Sequence, residues 1–153
     1  MTEIEKYEFD RQGYLVLPGL LGADETTRLA RAIDAVEEHA VARLTQPPRK
    51  KSAWNSDYHV NAEKGYYAGG ERKEGATVII EDFFNTDPAF DFLVNHGPTM
   101  DIIRGIVQER PTINNSEIRI RYQGNQSHTH MGGPISGKYR YNYNAKGIDC
   151  MMV

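Results

Sequence analysis

The chain has 153 residues, 39% of them apolar and 25% charged, with a formal net charge of −3. That is enough for one domain with a real core and too short for two ordinary ones, and the acidic balance argues against a general nucleic-acid binder. No apolar run approaches the roughly 20 residues that cross a bilayer, and the single cysteine, Cys150, excludes an internal disulfide, a zinc ribbon or a thioredoxin-type pair.

The opening "MTEIEKYEFD" is acidic and lacks the charged-then-apolar order of a signal peptide. The expected location is therefore cytoplasmic, with neither a membrane nor nucleic acid as partner. "GYLVLPGLL" (Gly13 to Leu21) is a short β-prone run ended by Pro18-Gly19, which reads as a strand and a turn. Leu29, Ile33, Val36, Ala40 and Leu44 then recur at helical spacing. Gly22 is an acceptable N-cap, and Asp24 and Glu25 fall in the first turn, where the helix dipole favours negative charge. Pro47-Pro48 stops that helix, and "RKK" reads as a solvated turn. Residues 52 to 75 are poor in aliphatic side chains and read as a long irregular excursion, with Trp54 and Tyr58 as candidates for a substrate lid.

"ATVIIEDF" (Ala76 to Phe83) reads as a strand. "DPAFDFLVN" follows as a short helix with Asp87 as N-cap and Pro88 at its first position. A second helix in "GPTMDIIRGIVQE" buries Ile102, Ile103, Ile106 and Val107. "SEIRIRYQGN" alternates, with Ile118, Ile120 and Tyr122 on one side and Glu117, Arg119 and Arg121 on the other: a half-buried strand. If the arginine side is interior, Arg121 is placed to hold a carboxylate. If it is exterior, it pairs with Glu117. Asn125 either joins such a ligand site or supplies turn geometry after Gly124. "KYRYNYN" alternates again through Tyr139, Tyr141 and Tyr143.

From Ile118 to Val153 five cations face the single Asp149, a balance that suits a small anionic ligand. "GIDCMMV" reads as the start of a further strand, so the chain is expected to be truncated at its C-terminus. The expected fold is mainly β with helices gathered at the N-terminus, an α+β arrangement.

Two stretches carry a family resemblance. "FDRQGYLVLPGLLGADETTRLARAIDAVEEH" resembles the N-terminal signature of the phytanoyl-CoA dioxygenase family, and "EIRIRYQGNQSHTHMGG" resembles the strand and turn that present that family's first iron ligand. The likeness runs from Phe9 to Val153 and implies the N-terminal part of a single domain, an incomplete double-stranded β-helix (jelly roll). It also implies Fe(II) as cofactor, 2-oxoglutarate as co-substrate and oxidation of a small organic molecule. Two histidines and a carboxylate hold one face of such an iron, leaving the other positions open.

In this sequence the first ligand is His130, followed by Gly132 where the family has Asp, or His128, followed by His130. The Gly-containing loop after His130 favours the first register. Gly supplies no ligand, and iron halogenases with a His-x-Ala or His-x-Gly pattern place halide there, so Gly132 marks a candidate anion position. Asp149 is an alternative carboxylate. The distal histidine and the 2-oxoglutarate-binding basic residue of the family would lie beyond Val153, and the 153-residue piece is expected to be inactive by itself. The cupin pattern needs a Glu where Pro134 and Ile135 stand. The alternative reading is a non-catalytic β-sheet module that binds a small molecule without metal.

Overall fold

The structure, a computed structural model, describes residues 1–52, 55–113, 115–126 and 146–147. Two compact units divide the chain. One contains Met1–Leu20 and Asn95–Thr112, and the other comprises Leu21–Val94 with Ile113–Ser127. Among the described residues no helix is long and apolar enough to cross a membrane.

The larger unit is a mixed α+β body made mainly of sheet. Its helix α2 spans Ala23–Val41 from an N-cap at Gly22, close to the sequence expectation. The Glu25 carboxylate accepts the Gly22 N–H at 2.8 Å, satisfying an otherwise orphaned donor and placing charge where the dipole favours it. Leu29, Ala32, Val36 and Ala40 form its buried stripe. The sheet is an antiparallel meander in the order β1 (Arg49–Lys51), β2 (Asp57–Asn61), β3 (Tyr66–Gly70), β4 (Thr77–Glu81), β5 (Glu117–Arg121).

Val36, Ala40 and Leu44 pack against Tyr66, Ala68, Val78 and Ile80, flanked by Ile118, Ile120 and Tyr122. Each fully buried aliphatic side chain there contributes about 1.5–3 kcal/mol. A second cluster joins Leu29 and Ala32 to Phe90 and the aromatic residues around it. Glu37 ties the elements together. It accepts the Tyr122 hydroxyl at 2.5 Å and Arg72 Nε at 3.0 Å, while Arg72 also reaches Glu38 and holds that exposed carboxyl below its usual range.

Several expectations are corrected. "RKK" is the edge strand β1, bonded to β2 through Arg49↔His59 and Lys51↔Asp57. The stretch expected to be irregular supplies β2 and β3, a hairpin turning through Gly65 at φ 66°. Its inward positions are His59, Asn61, Tyr66 and Ala68, so apolar periodicity does not reveal it. "DPAFDFLVN" forms a 3-10 helix, Pro88–Asn95, although Asp87 does accept the Ala89 N–H at 2.7 Å. The run Gly13 to Leu21 makes its turn at Pro18-Gly19, with Gly19 at φ 71°, but pairs with no described strand.

In the smaller unit an unforeseen helix, α1 (Glu3–Gln12), starts from a Thr2/Glu5 capping box and buries no residue. Helix α3 (Gly97–Val107) buries Ile102 and Ile106 as expected, while Ile103 and Val107 stay half-buried.

At the far end of α2, His39 Nδ1 lies 2.8 Å from the Tyr66 hydroxyl. Burial, then the charges of Arg43 and Lys64 and the neighbouring His59, lower its pKa against a weaker opposing pull from Glu63. The unfolded chain therefore binds this proton more readily. The His39 contribution is complete above the ordinary value of 6.5 and is lost as the pH falls below it toward the depressed folded value. Denaturant midpoints followed from neutral pH downward should decline less steeply for His39→Gln than for the native chain. Equal slopes would remove His39 from this account.

Candidate functional site

Strand register sorts the side chains of the sheet onto two faces. His59, Ala68, Ile80 and Ile118 are successive partners across β2–β5 and lie on the side of α2. One residue along each strand, the side chains point the other way. That second face carries Tyr58 and Val60 of β2, Tyr67 and Gly69 of β3, Thr77, Ile79 and Glu81 of β4, and Glu117, Arg119 and Arg121 of β5.

The centre of this face is aromatic. Tyr58 is 5% exposed and lies across Gly69, where an added Cβ would come within 2.9 Å of Tyr58 Cδ1. Gly69 is thus the residue that lets the ring lie against the sheet. Burial, and then a hydrogen bond to the Glu81 carboxylate, push the Tyr58 hydroxyl up to about 12, so it remains a neutral donor. Lys50 Nζ sits 4.3 Å from the centre of the Tyr67 ring, a cation–π contact.

Glu81 and Glu117 are direct cross-strand partners, a like-charge juxtaposition that destabilises a sheet unless relieved. Here Arg119 Nε donates to Glu117 at 2.6 Å, and the Tyr58 hydroxyl lies near enough to Glu81 for that carboxylate to raise its pKa. Arg119 is thereby the partner of Glu117.

Arg121 stands opposite Thr77 on the same face and is exposed. Tyr58 and Arg121, 63 residues apart in sequence, therefore share one surface across three strand spacings, roughly 14 Å at the usual strand separation. Such a span accommodates a small organic molecule. Tyr58 belongs to the sheet wall, which corrects its expected place in an irregular lid. Lys50, Tyr67 and Glu81, which no sequence signal singled out, join it on the second face, where alternation had placed Glu117.

Asn125 has a different task. Its Nδ2 donates to the Gly75 carbonyl at 3.1 Å, and Gly75 N–H donates to Gln123 O at 2.8 Å. Gly124, at φ 81°, makes the turn. These bonds clamp the β3–β4 hairpin to the chain leaving β5, immediately before the histidine segment. The turn role is the one the structure gives to Asn125.

Trp54, His128, His130 and Gly132 lie outside the described residues. Among the described residues no three His, Cys, Asp or Glu side chains converge as a metal-binding group. His59 faces α2. Its Nδ1 donates to the Gln46 carbonyl at 2.9 Å and its Nε2 is buried without a partner, so it pins the segment after α2 to the sheet. His96 Nδ1 bonds the Thr99 hydroxyl at 2.7 Å at the start of α3. No family model, curated protein or solved structure matches the chain.

Proposed function

We propose that this chain belongs to a non-haem Fe(II)/2-oxoglutarate-dependent dioxygenase-like protein that oxidises a small organic substrate, with the second face of the sheet as one wall of a double-stranded β-helix. The observation that supports this reading is directional. One face of the sheet is filled by α2, while the other carries aromatic, hydroxyl and charged groups, and β5 leads from that face into the segment containing His128 and His130.

On this reading His130 is the first iron ligand and His128 the alternative. Gly132, which supplies no ligand, leaves a position for water or halide. Iron and 2-oxoglutarate supply the oxidising chemistry when bound. The residues of the chain bind and orient. The Arg121 guanidinium pairs with a carboxylate of the co-substrate or substrate. The Tyr58 hydroxyl, held neutral beside Glu81, offers its oxygen as a hydrogen-bond acceptor. Tyr67, Val60 and Ile79 cover the organic body and keep water from it.

A second reading, a small-molecule binding module without metal, is favoured by the ion pair of Arg119 with Glu117, which engages two of the charged groups of this face with each other.

Turnover of 2-oxoglutarate by the complete gene product, with and without chloride, separates the two. The dioxygenase reading expects Fe(II)-dependent succinate release that His130→Ala abolishes. A chloride requirement would extend it to a halogenase-like site at Gly132. Absence of turnover in the iron-supplemented complete product would leave the binding module.

A further inference from the structure

Arg28 and Arg31 stand one turn apart on α2, a spacing that sets two side chains about 5–6 Å from each other at their Cβ atoms. They line a pocket of about 510 Å³ between α2 and the start of the 3-10 segment, within the larger unit. That volume falls in the range of small-molecule sites, roughly 300–1,000 Å³. Ala32 and Ala89 form its apolar part and, being small, leave room beside the guanidinium groups. The cluster of Phe90 with Leu29 and Ala32 holds the two walls together.

The charged groups of the pocket are held differently. Arg28 Cζ lies 4.5 Å from the centre of the Phe92 ring. Stacking takes up the face of a guanidinium and leaves its in-plane N–H donors for other partners. Asp24, four residues earlier and at the usual spacing of a helical ion pair, stands in the same lining. Asp87 accepts the Ala89 N–H through Oδ1 at 2.7 Å, which leaves its second oxygen for a further donor. Thr27 adds a hydroxyl to the α2 wall.

Two cations one turn apart repel each other, and an anion seated between them relieves that repulsion. The two carboxylates in the same lining set a second condition. A bare polyanion would meet the aspartates, and a bare cation would meet the arginines. A molecule carrying both signs finds a partner for each.

We propose that this pocket binds a small zwitterion, its carboxylate or phosphate held by Arg28 and Arg31 and its ammonium by Asp24 and Asp87. The pocket shares no residue with the second face of the sheet, so the site is separate from the one proposed for oxidation.

The test is calorimetric titration of the full chain with β-alanine and with O-phosphoethanolamine. Propionate and ethyl phosphate serve as their amine-free counterparts. At least one zwitterion should bind, at least tenfold more tightly than its counterpart, and the better of the two identifies the anionic group. Arg31→Gln should weaken that binding at least tenfold, and Asp24→Asn should bring the zwitterion down toward its counterpart. Both positions are exposed, so the denaturant midpoints of these variants should stay close to the native value, and the loss then reads binding alone. Binding of neither zwitterion would overturn the proposal. So would equal affinity with and without the amine, or a zwitterion affinity unchanged in Arg31→Gln.

Discussion

Replacing Gly70 by alanine should destabilise the larger unit by about 3–4 kcal/mol, a large share of the roughly 5–15 kcal/mol typical of a domain. Gly70 ends β3 at φ 93°, a backbone conformation that side-chain-bearing residues rarely adopt, and an added Cβ would stand 1.9 Å from the Thr77 carbonyl oxygen. That oxygen accepts the Glu71 N–H at 3.2 Å where the β3–β4 hairpin closes. The carbonyl must move and the bond opens, which adds about 1 kcal/mol to the backbone strain.

Gly75→Ala is the matched control. It has a similar φ of 74° with nothing within 4 Å of the added atom, so only the conformational penalty of about 1–2 kcal/mol should appear. Denaturant midpoints of the two variants measure the difference. If Gly70→Ala fell no further than Gly75→Ala, the close approach to Thr77 would be wrong. The effect also reaches the candidate site, because Thr77 is the cross-strand partner of Arg121.

Phe90→Ala should remove about 3–5 kcal/mol. Phe90 is 1% exposed and meets the Phe83 ring edge-on at 5.0 Å between centroids. Leu29 and Ala32 of α2 share its cluster. Truncation leaves a cavity between the first half of α2 and the 3-10 segment. The cluster around Val36, Ala40 and the sheet has other buried members and shares with this one the partly buried Phe83 and Ile118. Phe90→Leu should recover most of the loss, since a similar volume is kept. A loss under about 1 kcal/mol for the alanine variant would mean that the aromatic cluster contributes little to holding α2.

The parts of the fold that were legible announce themselves by period. Helix α2 shows Leu29, Val36 and Ala40 on one stripe, and β4 and β5 carry isoleucine and valine where the sheet is buried. Helix α1 gave no such signal because its stability rests on the Thr2/Glu5 cap and on surface pairs such as Lys6–Asp10, while no side chain of it is buried. The β2–β3 hairpin was hidden because histidine, asparagine, tyrosine and alanine fill its inward positions. Conversely, Tyr14–Leu17 has strand propensity without a strand partner, since pairing is a tertiary event that local preference does not supply.

For the candidate site, alternation showed that Arg119 and Arg121 share a side. Which side that was depended on where α2 packs, and on Glu117 being within reach of Arg119. The company of Tyr58, Glu81 and Glu117 on one surface follows from register across four strands, which no local pattern encodes.

The measurement that bears most directly on the proposed function is the Fe(II) stoichiometry of the complete gene product, dialysed anaerobically with 2-oxoglutarate, for the native protein and for His130→Ala and Arg121→Ala. The account predicts one iron per chain in the native protein, none in His130→Ala, and iron retained with weakened 2-oxoglutarate or substrate binding in Arg121→Ala. Iron binding that is absent from the native protein, or indifferent to His130→Ala, would contradict it.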